Sequence, residues 1–228
     1  MKAVLFDLDG VITDTAKFHF LAWRDLGAEL DIEVDEAFNE ELKGVSRIDS
    51  LERILAQGGV ADKYSSAEKD ELCVKKNAHY LELIKEMTPD DILPGIIPLL
   101  EELKAAGIKM IVTSASKNAP GILDLLQVRP YFDGIVDPAT VKAGKPAPDI
   151  FLAGAQLAGA DPADCVGVED AASGVEAIKA AGIVAVGVGD EQVLALADRV
   201  LPSTADLSLA VLQEAWAESC TASKGSFI

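Results

Sequence analysis

Four short clusters of charged and hydroxylic residues each follow an apolar, strand-like run. Asp7-Leu8-Asp9 comes directly after residues 3–6, AVLF. Carboxylates at i and i+2 leave the end of a strand on the same side. A carboxylate attacks phosphorus poorly unless a metal and a cation neutralise the charge. Glu169-Asp170 follows the run at 165–168, and hard oxygen ligands beside Asp7 would make a Mg²⁺ site. Lys145-Pro146 lies in AGKPAPD at 143–149, where one ammonium can bridge a nucleophilic carboxylate and a phosphate. Thr113, Ser114, Ala115, Ser116, Lys117 and Asn118 combine hydroxyls, a lysine and a helix start, which together make an anion cradle. Each cluster also has an ordinary reading: a strand-end turn, Asp170 capping the next helix, a solvated lysine, a capped helix start. Each cluster alone leaves the choice open, while the four in succession, each after a strand, form a specific pattern.

The elements that must position these groups can be read from periodicity. Residues 3–6 form a buried strand, and Gly10 permits a sharp turn after it. From Thr15 onward the chain is charged and helical in spacing, with amphipathic helices near 49–57 and 68–87. Pro94-Gly95 marks a restart. Helices over 97–106, 118–126, 148–158, 174–181 and 207–217 then alternate with strands at 110–113, 134–136, 165–168, 184–188 and 200–201. This alternation predicts an α/β fold, a doubly wound parallel sheet of Rossmann type. The expected organisation is a catalytic core of 1–14 and 91–228, with a helical cap at 15–90 inserted after the first strand. Ligands in such sheets bind at the carboxyl ends of strands, so an insert at that edge would act as a lid. The polar tail from Thr221 is expected to fray.

The composition narrows the partners. The 228 residues are 50% hydrophobic and 5% aromatic, ample for an aliphatic core. Twenty basic against 38 acidic residues give a net charge of −18. Such a surface repels nucleic acid and anionic lipid, so neither is expected as a partner. A phosphate site on this chain must therefore be locally basic or use a metal. Cys73, Cys165 and Cys220 are too few and too dispersed for a disulfide framework or a zinc site. No signal peptide and no apolar run of about 20 residues is seen, which predicts a cytoplasmic protein. A monomer is expected.

Asp7-Leu8-Asp9-Gly10-Val11, Ser114, Lys145-Pro146 and Glu169-Asp170 together resemble the pattern of the haloacid dehalogenase-like phosphotransferases, over essentially the whole chain. The resemblance implies Asp7 as nucleophile and Asp9 as general acid/base. It implies that Ser114 and Lys145 hold the transferring phosphoryl group. Mg²⁺ would be held by Asp7, the Asp9 carbonyl, Glu169 and Asp170. Within the family, the stretches at 6–23, 42–51, 113–118 and 145–151 resemble the sugar phosphomutases, and they cover the insert as well as the core. That implies interconversion of β-glucose 1-phosphate and glucose 6-phosphate through a 1,6-bisphosphate, with a sugar-phosphate phosphatase as the alternative. A bisphosphate requires a second anion pocket, for which Arg47, Ser116, Lys117 and Asn118 are candidates. Arg47 presents a planar fork suited to phosphate. By resemblance Gly44, Val45 and Arg47 contact substrate from the cap, His19 and Lys76 face the site from the same side, and Thr15 flanks a hinge. Ala171 stands where many relatives carry a hydroxyl directly after the acidic pair.

Overall fold

The computed structural model describes residues 1–42 and 45–225. The chain divides into two compact units, one of residues 1–14 and 87–228 and one of residues 15–86.

The larger unit is built on six parallel strands: β1 (Ala3–Phe6), β2 (Lys109–Val112), β3 (Gly134–Ile135), β4 (Cys165–Glu169), β5 (Val184–Val188) and β6 (Arg199–Leu201), in the order β3-β2-β1-β4-β5-β6. Their spans are short aliphatic runs. The central ones are buried along their whole length, as a sheet covered on both faces requires. Helices α7 (Asp149–Ala158) and α8 (Ala172–Ala180) pack on one face, and α5 (Ile96–Ala105) and α9 (Leu209–Gly225) on the other. Alternation along β1 decides who meets whom. Ala3 and Leu5 join Ile111, Phe151, Val175 and Ile178 in one core cluster under α7 and α8. The short helix α6 (Ala119–Leu125) follows β2.

The doubly wound expectation matches this sheet. One terminus differs: the last helix continues to Gly225 instead of ending near Ala217, and residues 226–228 of the tail lie outside the described residues. The middle of the helix is tied down. Arg199 pairs with Glu214 (3.1 Å) and Glu218 (2.9 Å), and the Trp216 indole N–H donates to the Ala163 carbonyl at 2.8 Å. Residues 87–90 group with the larger unit rather than with the insert. The Thr13 hydroxyl donates to the Asp91 carbonyl (2.7 Å), and Leu93 N–H donates to the Ile12 carbonyl (2.9 Å). The two chain segments that lead to the insert are thus bonded to each other inside the core unit. Among the described residues, no helix is long and apolar enough to cross a membrane.

The smaller unit contains α1 (Ala16–Glu29), α2 (Glu36–Glu40), α3 (Arg47–Gln57) and α4 (Ser66–Leu83). Helix α4 starts slightly earlier than its apolar spacing suggests, because Ser65 and Glu68 form a reciprocal capping box. Trp23, Leu26, Leu51, Ile54 and Leu55 form its core. Next to that core lies a polar cluster. Lys76 is buried, its Nζ 2.7 Å from His19 Nδ1, 4.6 Å from the Trp23 ring centre and 5.0 Å from that of Tyr80. The His19 ring stacks on Tyr80 at 4.2 Å. Desolvation by this packing, then the charges of Lys76 and Arg47, lower the His19 pKa to about 3. The imidazole is therefore neutral and its Nδ1 accepts from the Lys76 ammonium.

Phe151 is fully buried in the sheet core. Phe151→Ala is expected to cost about 3–5 kcal/mol of unfolding free energy, measured by urea denaturation. A loss under about 1 kcal/mol would mean that the core closes over the gap. In the smaller unit, His19 stays neutral when folded and gains a proton when unfolded below its ordinary value of 6.5. Its contribution to stability is complete above that value and falls as pH is lowered from 6.5 toward about 3. Thermal melts of the natural protein and His19→Gln across this window should converge as the pH drops. Parallel curves would show that His19 titrates normally.

Candidate active site

The strand register sets the site. Phe6 lies beside Val112 on one side and Val168 on the other, so Asp7, Thr113 and Glu169 leave the sheet at the same level. Asp7 N–H donates to the Val168 carbonyl at 3.0 Å. The Phe6 carbonyl accepts from both Thr113 N–H (2.8 Å) and the Thr113 hydroxyl (3.2 Å). The peptide unit preceding Asp7 is thereby fixed to both neighbouring strands.

Lys145 reaches these strand ends from the loop between β3 and α7. Its Nζ donates to Asp7 Oδ1 at 2.7 Å and to Glu169 Oε2 at 2.8 Å. All three side chains are close to fully buried. Burial alone would lower the Lys145 pKa, but the two carboxylates outweigh it and raise it above the ordinary lysine range. Desolvation, then the charge of Asp7, push Glu169 up to about 8. Asp170, the most accessible of the group, is raised by desolvation and by the charges of Asp7 and Asp9. Asp7, Glu169 and Asp170 can each turn an oxygen to within 4.8 Å of the others. Three hard oxygen donors with more negative charge than one lysine neutralises are a fitting environment for a divalent cation.

Asp170 does not cap α8; Ala171 is the N-cap residue and contributes no side-chain bond. The second acidic residue is left available to the site. Gly10 is what allows its position: its φ is +72°, and a Cβ there would lie 1.9 Å from Asp170 Oδ2. Asp9 is not one of the three grouped side chains. Its backbone bridges Thr13 in the turn that Gly10 closes.

On the other side of Asp7, Ser114 is buried and its hydroxyl accepts from Ser116 N–H (3.1 Å). The Ser116 hydroxyl accepts in turn from Asn118 N–H (3.3 Å). Residues 113–118, with Ala115 and Lys117, thus form a loop of successive hydroxyl-stabilised turns leading into α6. Asn118 is the N-cap residue but makes no side-chain capping bond.

The remaining candidates belong to the smaller unit. Thr15 is buried at the N-cap of α1, and Arg47 opens α3. Arg47 and Lys76 both add positive charge around His19. Val45 immediately precedes the N-cap Ser46. Gly44 lies outside the described residues. Two contributors escaped the sequence reading. Ala171 N–H donates to Glu169 Oε1 (3.3 Å), and the Phe151 ring lies 5.1 Å from Lys145 Nζ. A backbone donor leaves no trace in residue type, and Phe151 reads only as core.

A family model described as haloacid dehalogenase-like hydrolase matches residues 1–182. The chain is 53% identical to a β-phosphoglucomutase of Bacillus subtilis, over 95% of this chain and 96% of that one. It is 31% identical to a phosphorylated carbohydrates phosphatase of Thermotoga maritima, over 80% of this chain and 82% of that one. A crystal structure of β-phosphoglucomutase from Clostridium difficile superposes with a TM-score of 0.93 at 44% identity, covering 97% of this chain and 99% of that one. The matched region contains all four strand-end clusters, and on that evidence the chain belongs to the haloacid dehalogenase-like hydrolase family.

Proposed function

We propose that the protein is a phosphomutase that interconverts β-D-glucose 1-phosphate and D-glucose 6-phosphate. The observation that carries this reading is the buried Asp7 carboxylate held 2.7 Å from Lys145, in a chain whose likeness to β-phosphoglucomutases extends through both units. A phosphorylated carbohydrates phosphatase is matched too, but at 31% identity over 80% of this chain, against 53% over 95% for the phosphoglucomutase.

In this reading Asp7 is the nucleophile. One carboxylate oxygen bonds to phosphorus as the sugar oxygen departs, leaving phospho-Asp7. Lys145 and the Ser114 hydroxyl hold the transferring group. Asp9 gives a proton to the departing sugar oxygen in one half-reaction and takes one from the attacking hydroxyl in the other. The side chains of Asp7, Glu169 and Asp170 and the backbone carbonyl of Asp9 would hold Mg²⁺, which would supply further neutralisation of the phosphoryl charge. Phospho-Asp7 donates to the C6 hydroxyl of β-glucose 1-phosphate. The 1,6-bisphosphate turns over, and its C1 phosphoryl returns to Asp7, releasing glucose 6-phosphate.

The phosphate not in reaction requires a second pocket. The candidates for it are Ser116, Lys117 and Asn118 in the larger unit and Arg47 in the smaller, with Gly44, Val45, His19 and Lys76 as further substrate-binding candidates by resemblance. The insert acts as a lid with Thr15 at its hinge. It favours a sugar hydroxyl over water as acceptor of the phosphoryl group. The substrate is a small sugar phosphate, and the protein works as a cytoplasmic monomer.

With β-glucose 1-phosphate, Mg²⁺ and a trace of glucose 1,6-bisphosphate, glucose 6-phosphate should form without matching free phosphate. Asp7→Asn should lower that rate by roughly 10³-fold or more, as loss of a covalent nucleophile does. Free phosphate rising in step with substrate loss would establish a phosphatase instead. Chelation by EDTA should abolish turnover and added Mg²⁺ restore it; full activity in EDTA would remove the metal from the reaction.

A further inference from the structure

Glu169 is the most deeply buried of the three clustered carboxylates, and both its oxygens are engaged. Oε2 accepts from Lys145 at 2.8 Å and Oε1 from Ala171 N–H at 3.3 Å. Its side chain lies back over the first turn of α8. What makes room for it there is Gly174, the third residue of that helix. A Cβ on Gly174 would meet Glu169 Cδ at 2.0 Å, Oε2 at 2.3 Å and Cγ at 2.4 Å, and these are its three nearest neighbours. Ordinary carbon contacts are about 3.5–4.0 Å, so the two side chains cannot share this space.

Nothing in the helix asks for glycine at this position. Gly174 is buried inside a regular helix, outside the left-handed φ region, where alanine is the better helix former. Local propensity and the space taken by Glu169 therefore pull in opposite directions. We propose that Gly174 is a positioning residue, whose missing side chain sets the conformer of Glu169 and, through Lys145, the arrangement around Asp7. This rests on the reading of Asp7, Glu169 and Asp170 as cation ligands. It adds a requirement that lies on α8 rather than at a strand end.

The test compares the natural protein, Gly174→Ala, Glu169→Ala and the double variant. Mn²⁺ binding is read by electron paramagnetic resonance without substrate, and folding by thermal melting. Gly174→Ala should weaken Mn²⁺ binding by about 10- to 100-fold, as loss of support behind a ligand does. In the Glu169→Ala background the same change should alter binding by less than about twofold, because its partner is gone. If Gly174→Ala fails to fold, the double variant should recover a cooperative melt. Overturning results are unchanged Mn²⁺ binding in Gly174→Ala, an equal loss in both backgrounds, or no recovery of folding in the double variant. A crystal structure of Gly174→Ala reads the geometry without metal. The Glu169 carboxylate should move by at least about 1 Å to reach ordinary contact distance, and one left in place would refute the role. Absence of Mn²⁺ binding by the natural protein would sink the metal reading, while this displacement would still decide the role of Gly174.

Discussion

Lys145 joins Asp7 and Glu169 by two charge-assisted hydrogen bonds in a nearly dry environment, at the ends of two adjacent strands. Without that ammonium, two carboxylates would be buried side by side uncompensated, an arrangement that low dielectric makes costly. With it, the Asp7 carboxylate is held by a direct hydrogen bond where it leaves the sheet. The β1–β4 pairing and the loop that delivers Lys145 both converge on this contact.

The balance is still incomplete. One lysine faces three carboxylates, and Glu169 and Asp170 are raised by desolvation first and by the neighbouring carboxylate charges second. A group of three carboxylates with one lysine is a fitting environment for a divalent cation. This resolves the difficulty of phosphate chemistry on a chain of net charge −18. Attraction comes from local cations at the strand ends, while the overall field discourages nucleic acid.

The smaller unit solves a different problem with similar means. Lys76 is buried among Trp23, Tyr80 and His19, where two aromatic faces and one ring nitrogen replace its water. Burial, and after it the positive charge of Lys76, depresses the basicity of His19. Both units hide a lysine, one against anions and one against aromatic rings.

The alternation of aliphatic runs and amphipathic segments is enough to read the doubly wound sheet, and acidic and lysine residues after those runs mark the groups that meet where the strands end. Those features are local, and a strand's period or a residue's type is written in the sequence itself. Tertiary structure decided the rest. Asp170 reads equally as a helix cap until the Ala171 N-cap and the Gly10 turn place it with Asp7 and Glu169. The last helix reads as ending near Ala217, yet it continues past Glu218, where Arg199, a neighbour only in space, pairs with Glu214 and Glu218. Gly174 reads as a weakness in a helix until the Glu169 side chain is seen filling the missing volume. Composition and period specify what each element is, but contacts between residues distant in sequence depend on how strands pair and pack, which only the folded chain fixes.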